Sequence, residues 1–129
     1  MSNLMNENTD VLDTGALDAI RALDTSGGDD LLGKIIDLYI NESTRLAGCL
    51  ELALETGDCE EIRKCSHSLK SCSANVGATT VATVSRDLEL AGSEGSLATA
   101  TELFSRLQKE LTEALAALSR IATNTGVPH

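Results

Sequence analysis

A chain of 129 residues is sized for one domain, and its formal net charge of −10 disfavours nucleic acid and anionic membrane as partners. Aromatic residues make up only 2%, with one Phe, one Tyr and no Trp, so any core must be aliphatic. One Pro (Pro128), abundant Ala, Leu and Glu, and the absence of alternating β-branched runs favour helices over sheet.

Residues 1–10 are polar and Asn-rich, read as a flexible tail without a signal peptide. A short helix over Thr14 to Leu23 carries Leu17, Ile20 and Leu23 on one side and stops at Ser26-Gly27-Gly28. Asp29 and Asp30 place negative charge at the start of a long helix, Asp30 to Glu55. Its apolar positions are Leu31, Ile35, Leu38, Tyr39, Leu46, Cys49, Leu50 and Ala53, interrupted at Asn41-Glu42-Ser43-Thr44, where a bend is left open. Gly57 ends that helix, and Asp58 with Glu61 forms a capping box for the next, Cys59 to Asn75. Gly77 permits the tight turn that follows.

A further helix, Thr79 to Ala91, has Val81, Val84, Leu88 and Ala91 in register, and Ala91-Gly92-Ser93-Glu94-Gly95 reads as a turn. The last helix begins after a Ser96 cap and runs to Ile121, with a stripe of Leu97, Ala100, Phe104, Leu107, Leu111, Ala114 and Leu118. Residues 122–129 are read as a second flexible tail. Four amphipathic helices with short turns predict an antiparallel up-and-down four-helix bundle over residues 11–121, with the short N-terminal helix as an addition.

The four cysteines, 49, 59, 65 and 72, form no Cys-x-x-Cys pair and are expected to be reduced in a cytoplasmic compartment. Cys65 and Cys72 fall on the apolar stripe of their helix, where a thiol acts as a small hydrophobe. No metal site is expected, because His67 points away from both.

The stretch from Cys65 to Ala78 carries the chemistry. Ile62, Cys65, Leu69, Cys72 and Val76 fall within a stripe about 80° wide, and His67 lies about 180° from its middle. Arg63, Lys70, Ser71 and Ala74 share the outer face with it. Arg63, Lys64, Lys70 and Arg86 make a local basic island on an acidic chain. A histidine on a polar face is more often a merely solvated side chain. The outward aim, the flanking cations and the run of small residues weigh toward a surface that another protein approaches.

These residues resemble the histidine phosphotransfer (HPt) family, whose hallmark is His-x-Leu-Lys-Gly-small-small ending in Gly-Ala, with Leu-Glu about a helix later. His67-Ser68-Leu69-Lys70, Ser71-Cys72-Ser73, Gly77-Ala78 and Leu88-Glu89 match in order and spacing, and a weaker likeness extends from Leu12 to Leu118. Ser71 stands where the family usually has glycine, adding a hydroxymethyl group beside the ring.

The resemblance implies a phosphorelay protein of two-component signalling, phosphorylated on His67 but with no kinase activity of its own. Its partners would be response-regulator receiver domains and a hybrid sensor histidine kinase, with magnesium bound by the receiver and no cofactor on this chain. It would act as a monomer in the cytoplasm, or as a cytoplasmic domain of a membrane-bound sensor kinase. A solvated imidazole, with a pKa of about 6.5, is largely neutral at about pH 7.5 and offers a lone pair to phosphorus. Lys70 and Arg63 would offset phosphoryl charge, and Glu89, near the level of His67 on the neighbouring helix, would orient the other ring nitrogen. Lys64, Ser68, Ser71 and Ala74 would support docking. No nucleotide-binding glycine loop is present, which argues against a kinase fragment. A non-phosphorylated adaptor that sequesters receivers, motivated by Ser71, stays open.

Overall fold

The computed structural model describes residues 12–24 and 30–126, with the side chains of residue 30 and of residues 123–126 excluded. The expected N-terminal tail, the Ser26-Gly27-Gly28 break, the side chains of Asp29 and Asp30, and the terminal Pro128-His129 lie outside that description. Among the described residues five helices follow one another: α1 (Thr14–Leu23), α2 (Asp30–Thr56), α3 (Cys59–Asn75), α4 (Thr79–Glu94) and α5 (Leu97–Gly126). No strand occurs among the described residues. Helices α2 to α5 form the antiparallel bundle, each packed on its chain neighbours with α5 closing onto α2, while α1 rests on α2.

Local chemistry explains where the helices begin. Asp13 caps α1 by accepting from the Gly15 amide at 3.0 Å, and Asp58 caps α3 by accepting from the Glu61 amide at 3.1 Å. Asp24 reaches across the connection to accept from the Leu31 amide at 3.0 Å, serving an orphan donor at the start of α2. At Gly77, φ is +77°, a conformation that suits glycine, and a Cβ there would overlap the carbonyl oxygen of Asp13. The Asp13 amide donates to the Gly77 carbonyl at 2.6 Å, tying the entry of α1 to the turn after α3.

The core is aliphatic, as the composition required: Leu17, Leu32, Ile36, Leu50, Ile62, Leu69, Val81, Val84, Leu88, Leu107 and Leu118 are fully buried. Several expectations shift in detail. On α2 the buried stripe is Leu32, Ile36 and Tyr39; Leu31 and Ile35 are half-buried beside it, and Leu38 is exposed. Leu23 and Leu97 are likewise exposed. Helix α2 runs unbroken through the polar interruption, where Ser43 is buried and Thr44 returns its hydroxyl to the Ile40 carbonyl at 2.7 Å.

Helix α4 runs past Ala91 to Glu94, so Gly92 belongs to the helix and not to a turn. Its missing side chain lets α3 approach: a Cβ there would lie 2.9 Å from the Arg63 amide nitrogen and from the Cys59 carbonyl oxygen. Helix α5 continues beyond Ile121 to Gly126, since no helix breaker intervenes before that glycine.

Candidate functional site

His67 sits in the third turn of α3, clear of both helix ends, and its side chain is 57% exposed. The α3 stripe is anchored below it by Ile62, Cys65, Leu69 and Val76, with Cys72 only half-buried. Ser66 and Ser73, which hydrophobic spacing did not mark, also face inward. The Ser73 hydroxyl shares a 2.7 Å hydrogen bond with the Tyr39 phenol of α2, and burial pushes that phenol well above its ordinary range. This buried bond sets the register of α3 against α2, and with it the height of His67 on the bundle.

Glu89 arrives from α4 and completes the site. Its Oε2 lies 3.0 Å from Nδ1 of His67, and its Oε1 accepts from Nζ of Lys70 at 2.8 Å. The Lys70 ammonium is the main reason that the Glu89 carboxyl is held below its ordinary value, with His67 contributing after it. Glu89 is therefore a carboxylate with no proton to give. The hydrogen bond requires Nδ1 to be the donor, and in the neutral ring this leaves the lone pair on Nε2.

The outer face around the ring is as the spacing indicated: Lys64, Ser68, Ser71 and Ala74 are exposed. The basic island, by contrast, resolves into separate pairs. Arg63 turns back to Glu60, its Nη2 donating at 2.6 Å and its Nε at 3.1 Å, and Arg86 lies 3.8 Å from Asp87. Lys70 is the cation that the fold brings to the histidine, through Glu89. One further feature had no marker in the periodicity. Beside Glu89, Arg86, Asp87, Leu90 and Ser93 line a shallow groove of about 340 Å³ on the outer edge of α4. The available signal was Leu90, an apolar residue off the Val81, Val84, Leu88 and Ala91 stripe.

All four thiols are free. Among the described residues, no group of three or more His, Cys, Asp or Glu side chains is placed to hold a metal ion, and no helix is long and apolar enough to cross a membrane.

An antiparallel helical bundle that presents one imidazole to solvent, with its second nitrogen fixed by a carboxylate, defines a histidine-presenting class of protein. The Hpt domain family model matches residues 34–120, and the chain belongs to that family, the histidine phosphotransfer proteins of two-component signalling. Among solved structures it is similar to histidine-containing phosphotransfer protein B (HptB) from Pseudomonas aeruginosa PAO1. That similarity has a TM-score of 0.83 at 24% identity, over 88% of this chain and 96% of that one, and it establishes the shared fold. No curated protein matches the sequence.

Proposed function

We propose that this protein is a phosphorelay intermediate in which His67 accepts a phosphoryl group from the phospho-aspartate of a receiver domain and passes it to another receiver. The observation that carries the reading is the chain from exposed His67 through Nδ1 to Glu89 and on to Lys70. It leaves Nε2 as an oriented nucleophile.

In the transfer, the Nε2 lone pair attacks phosphorus in line. The N–P bond forms as the P–O bond to the aspartate breaks, and its electron pair leaves on the aspartate carboxylate. The ring keeps its Nδ1 proton and so becomes cationic, which Glu89 compensates directly. The arriving phosphoryl group carries close to two negative charges, and Lys70, one turn on, pivots from Glu89 toward it. A relay needs only a few kcal/mol of such stabilisation, since a deeper well would trap the group.

Arg63, held by Glu60, acts as a flanking positive charge. Lys64, Ser68, Ser71 and Ala74 form the face on which the receiver sits. The receiver supplies the magnesium and its acidic ligands, so the chain is a covalent carrier without kinase activity, fed by a hybrid sensor kinase. We place it in the cytoplasm as a monomer, free-standing or as the cytoplasmic part of a sensor.

The test is incubation with a phosphorylated receiver domain. Acid-labile label should appear on the wild-type chain, in the Nε2-linked isomer, and be absent from His67→Gln. Label surviving that substitution overturns the site, and binding without transfer favours the sequestering adaptor. Ser71→Gly should leave transfer intact or speed it; a large loss would mean that the hydroxymethyl group helps the partner dock.

A further inference from the structure

A second cluster of reactive side chains lies between α2 and α3, independent of the contacts of His67. The Tyr39–Ser73 bond fixes the antiparallel register of these helices. In that register Cys49 lies at the level of Cys65, and Glu61 joins the two: it lines the same groove as Cys49 and accepts from Cys65 Sγ. The two thiols have different surroundings. Cys49 is half-buried and lines a surface groove of about 250 Å³ with Leu52, Ala53, Thr56, Asp58 and Glu61.

Arg45 holds Glu42 through Nε and Nη2, leaving Nη1 turned to Cys49 Sγ at 4.0 Å. Cys65 is buried, and its Sγ–H is directed at Glu61 Oε2, 3.6 Å away. Cys49 is thus the sulfur that solvent reaches, with a guanidinium beside it, and Cys65 is the enclosed one. Burial, first, and then Cys49 and Glu61 push the Cys65 thiol up to about 12. One sulfur is placed to react and the other to wait for it, the arrangement of a redox-sensing pair.

We propose that Cys49 and Cys65 form a peroxide-reactive dithiol, a modification site that closes into a disulfide between α2 and α3. Cys49 ionises and its thiolate attacks one oxygen of hydrogen peroxide, the O–O bond breaks, and the departing hydroxide takes up the proton that the thiol released, as water. Cys49 is thereby oxidised by two electrons to a sulfenic acid and the peroxide is reduced. Cys65 attacks Cys49 Sγ as its proton passes, by way of Glu61, toward the hydroxide that departs from Cys49. The S–O bond breaks in the same step, and the hydroxide leaves with that proton as a second water. In sum, two thiols and one peroxide become one disulfide and two waters.

The inference does not rest on the phosphotransfer reading, and its test needs no partner. The full chain is treated with hydrogen peroxide, alkylated in denaturant and mapped by mass spectrometry. Two of the four thiols should disappear together, the mass should fall by two hydrogens, and the joined peptides should carry Cys49 and Cys65. Dithiothreitol should restore both. In Cys65→Ser the Cys49 sulfenic acid should persist and be trapped by dimedone, while in Cys49→Ser, Cys65 should stay a thiol. A link between any other pair, earlier oxidation of Cys59 or Cys72, or no link in the wild-type chain overturns the proposal.

Discussion

At Glu89 one carboxylate serves two donors, and the order in which they matter yields a prediction. Lys70 depresses the Glu89 carboxyl more than His67 does, so Lys70→Met should move its titration back up toward the ordinary value of 4.5, followed by carboxyl-carbon NMR. A depressed carboxylate contributes stability that is fully present above that ordinary value and is lost as pH falls through the lowered one. The interhelical link from α4 to α3 should therefore weaken only under acid conditions, and in Lys70→Met it should weaken at a higher pH. Ring orientation is a separate test. Glu89→Gln keeps an oxygen that can accept from Nδ1 and should hold the tautomer, whereas Glu89→Ala should lose it. Nitrogen NMR of His67 reads the tautomer directly, and transfer should slow about tenfold in the alanine variant alone, because a free ring samples unproductive orientations.

Among the helices, two glycines with opposite surroundings separate local propensity from packing. Gly48 is exposed on α2, and a Cβ there meets nothing within 4 Å, so Gly48→Ala should stabilise by about 0.5–1 kcal/mol. Gly92 is also helical, yet its added methyl would press on the α3 backbone. Gly92→Ala should cost about 1–3 kcal/mol despite the same gain in propensity, measured by urea unfolding. That contrast also shows what the sequence could and could not disclose. The bounds of α3 were legible because Gly57, Asp58 and Gly77 act through local backbone chemistry, whereas α1 was read from its apolar spacing and its Asp13 cap was not. Gly92 was misread as a turn because its purpose is the nearness of another helix. On α2, two adjacent apolar rows, Leu31-Ile35-Leu38 and Leu32-Ile36-Tyr39, compete in the pattern, and only the packed neighbours choose between them. The outward aim of His67 and Lys70 followed from angle alone. The dissolution of the basic island did not, because Arg63 and Arg86 find partners on their own helices through rotamer choices that spacing leaves undetermined.

For the whole molecule, charge sets the response to salt, with two effects of opposite sign. Screening weakens the exposed pairs Arg21–Asp18, Arg45–Glu42 and Arg63–Glu60, each with three-residue spacing on one helix. Pairs of that kind on a solvated surface are individually weak, so little is at risk. Screening also relieves the self-repulsion of ten excess negative charges, which is greater in the compact chain than in the expanded one. Treating folded and unfolded chains as charged spheres of the expected sizes, raising salt from about 0.01 M to 0.15 M relieves about 2–3 kcal/mol of that difference. The repulsive contribution is the larger, so salt should stabilise this protein. Urea midpoints should rise between those ionic strengths with an unchanged slope, and Arg45→Gln should leave the rise intact. A midpoint that fell with added salt would mean that the surface pairs act as a cooperative network, worth more together than their separate geometries provide.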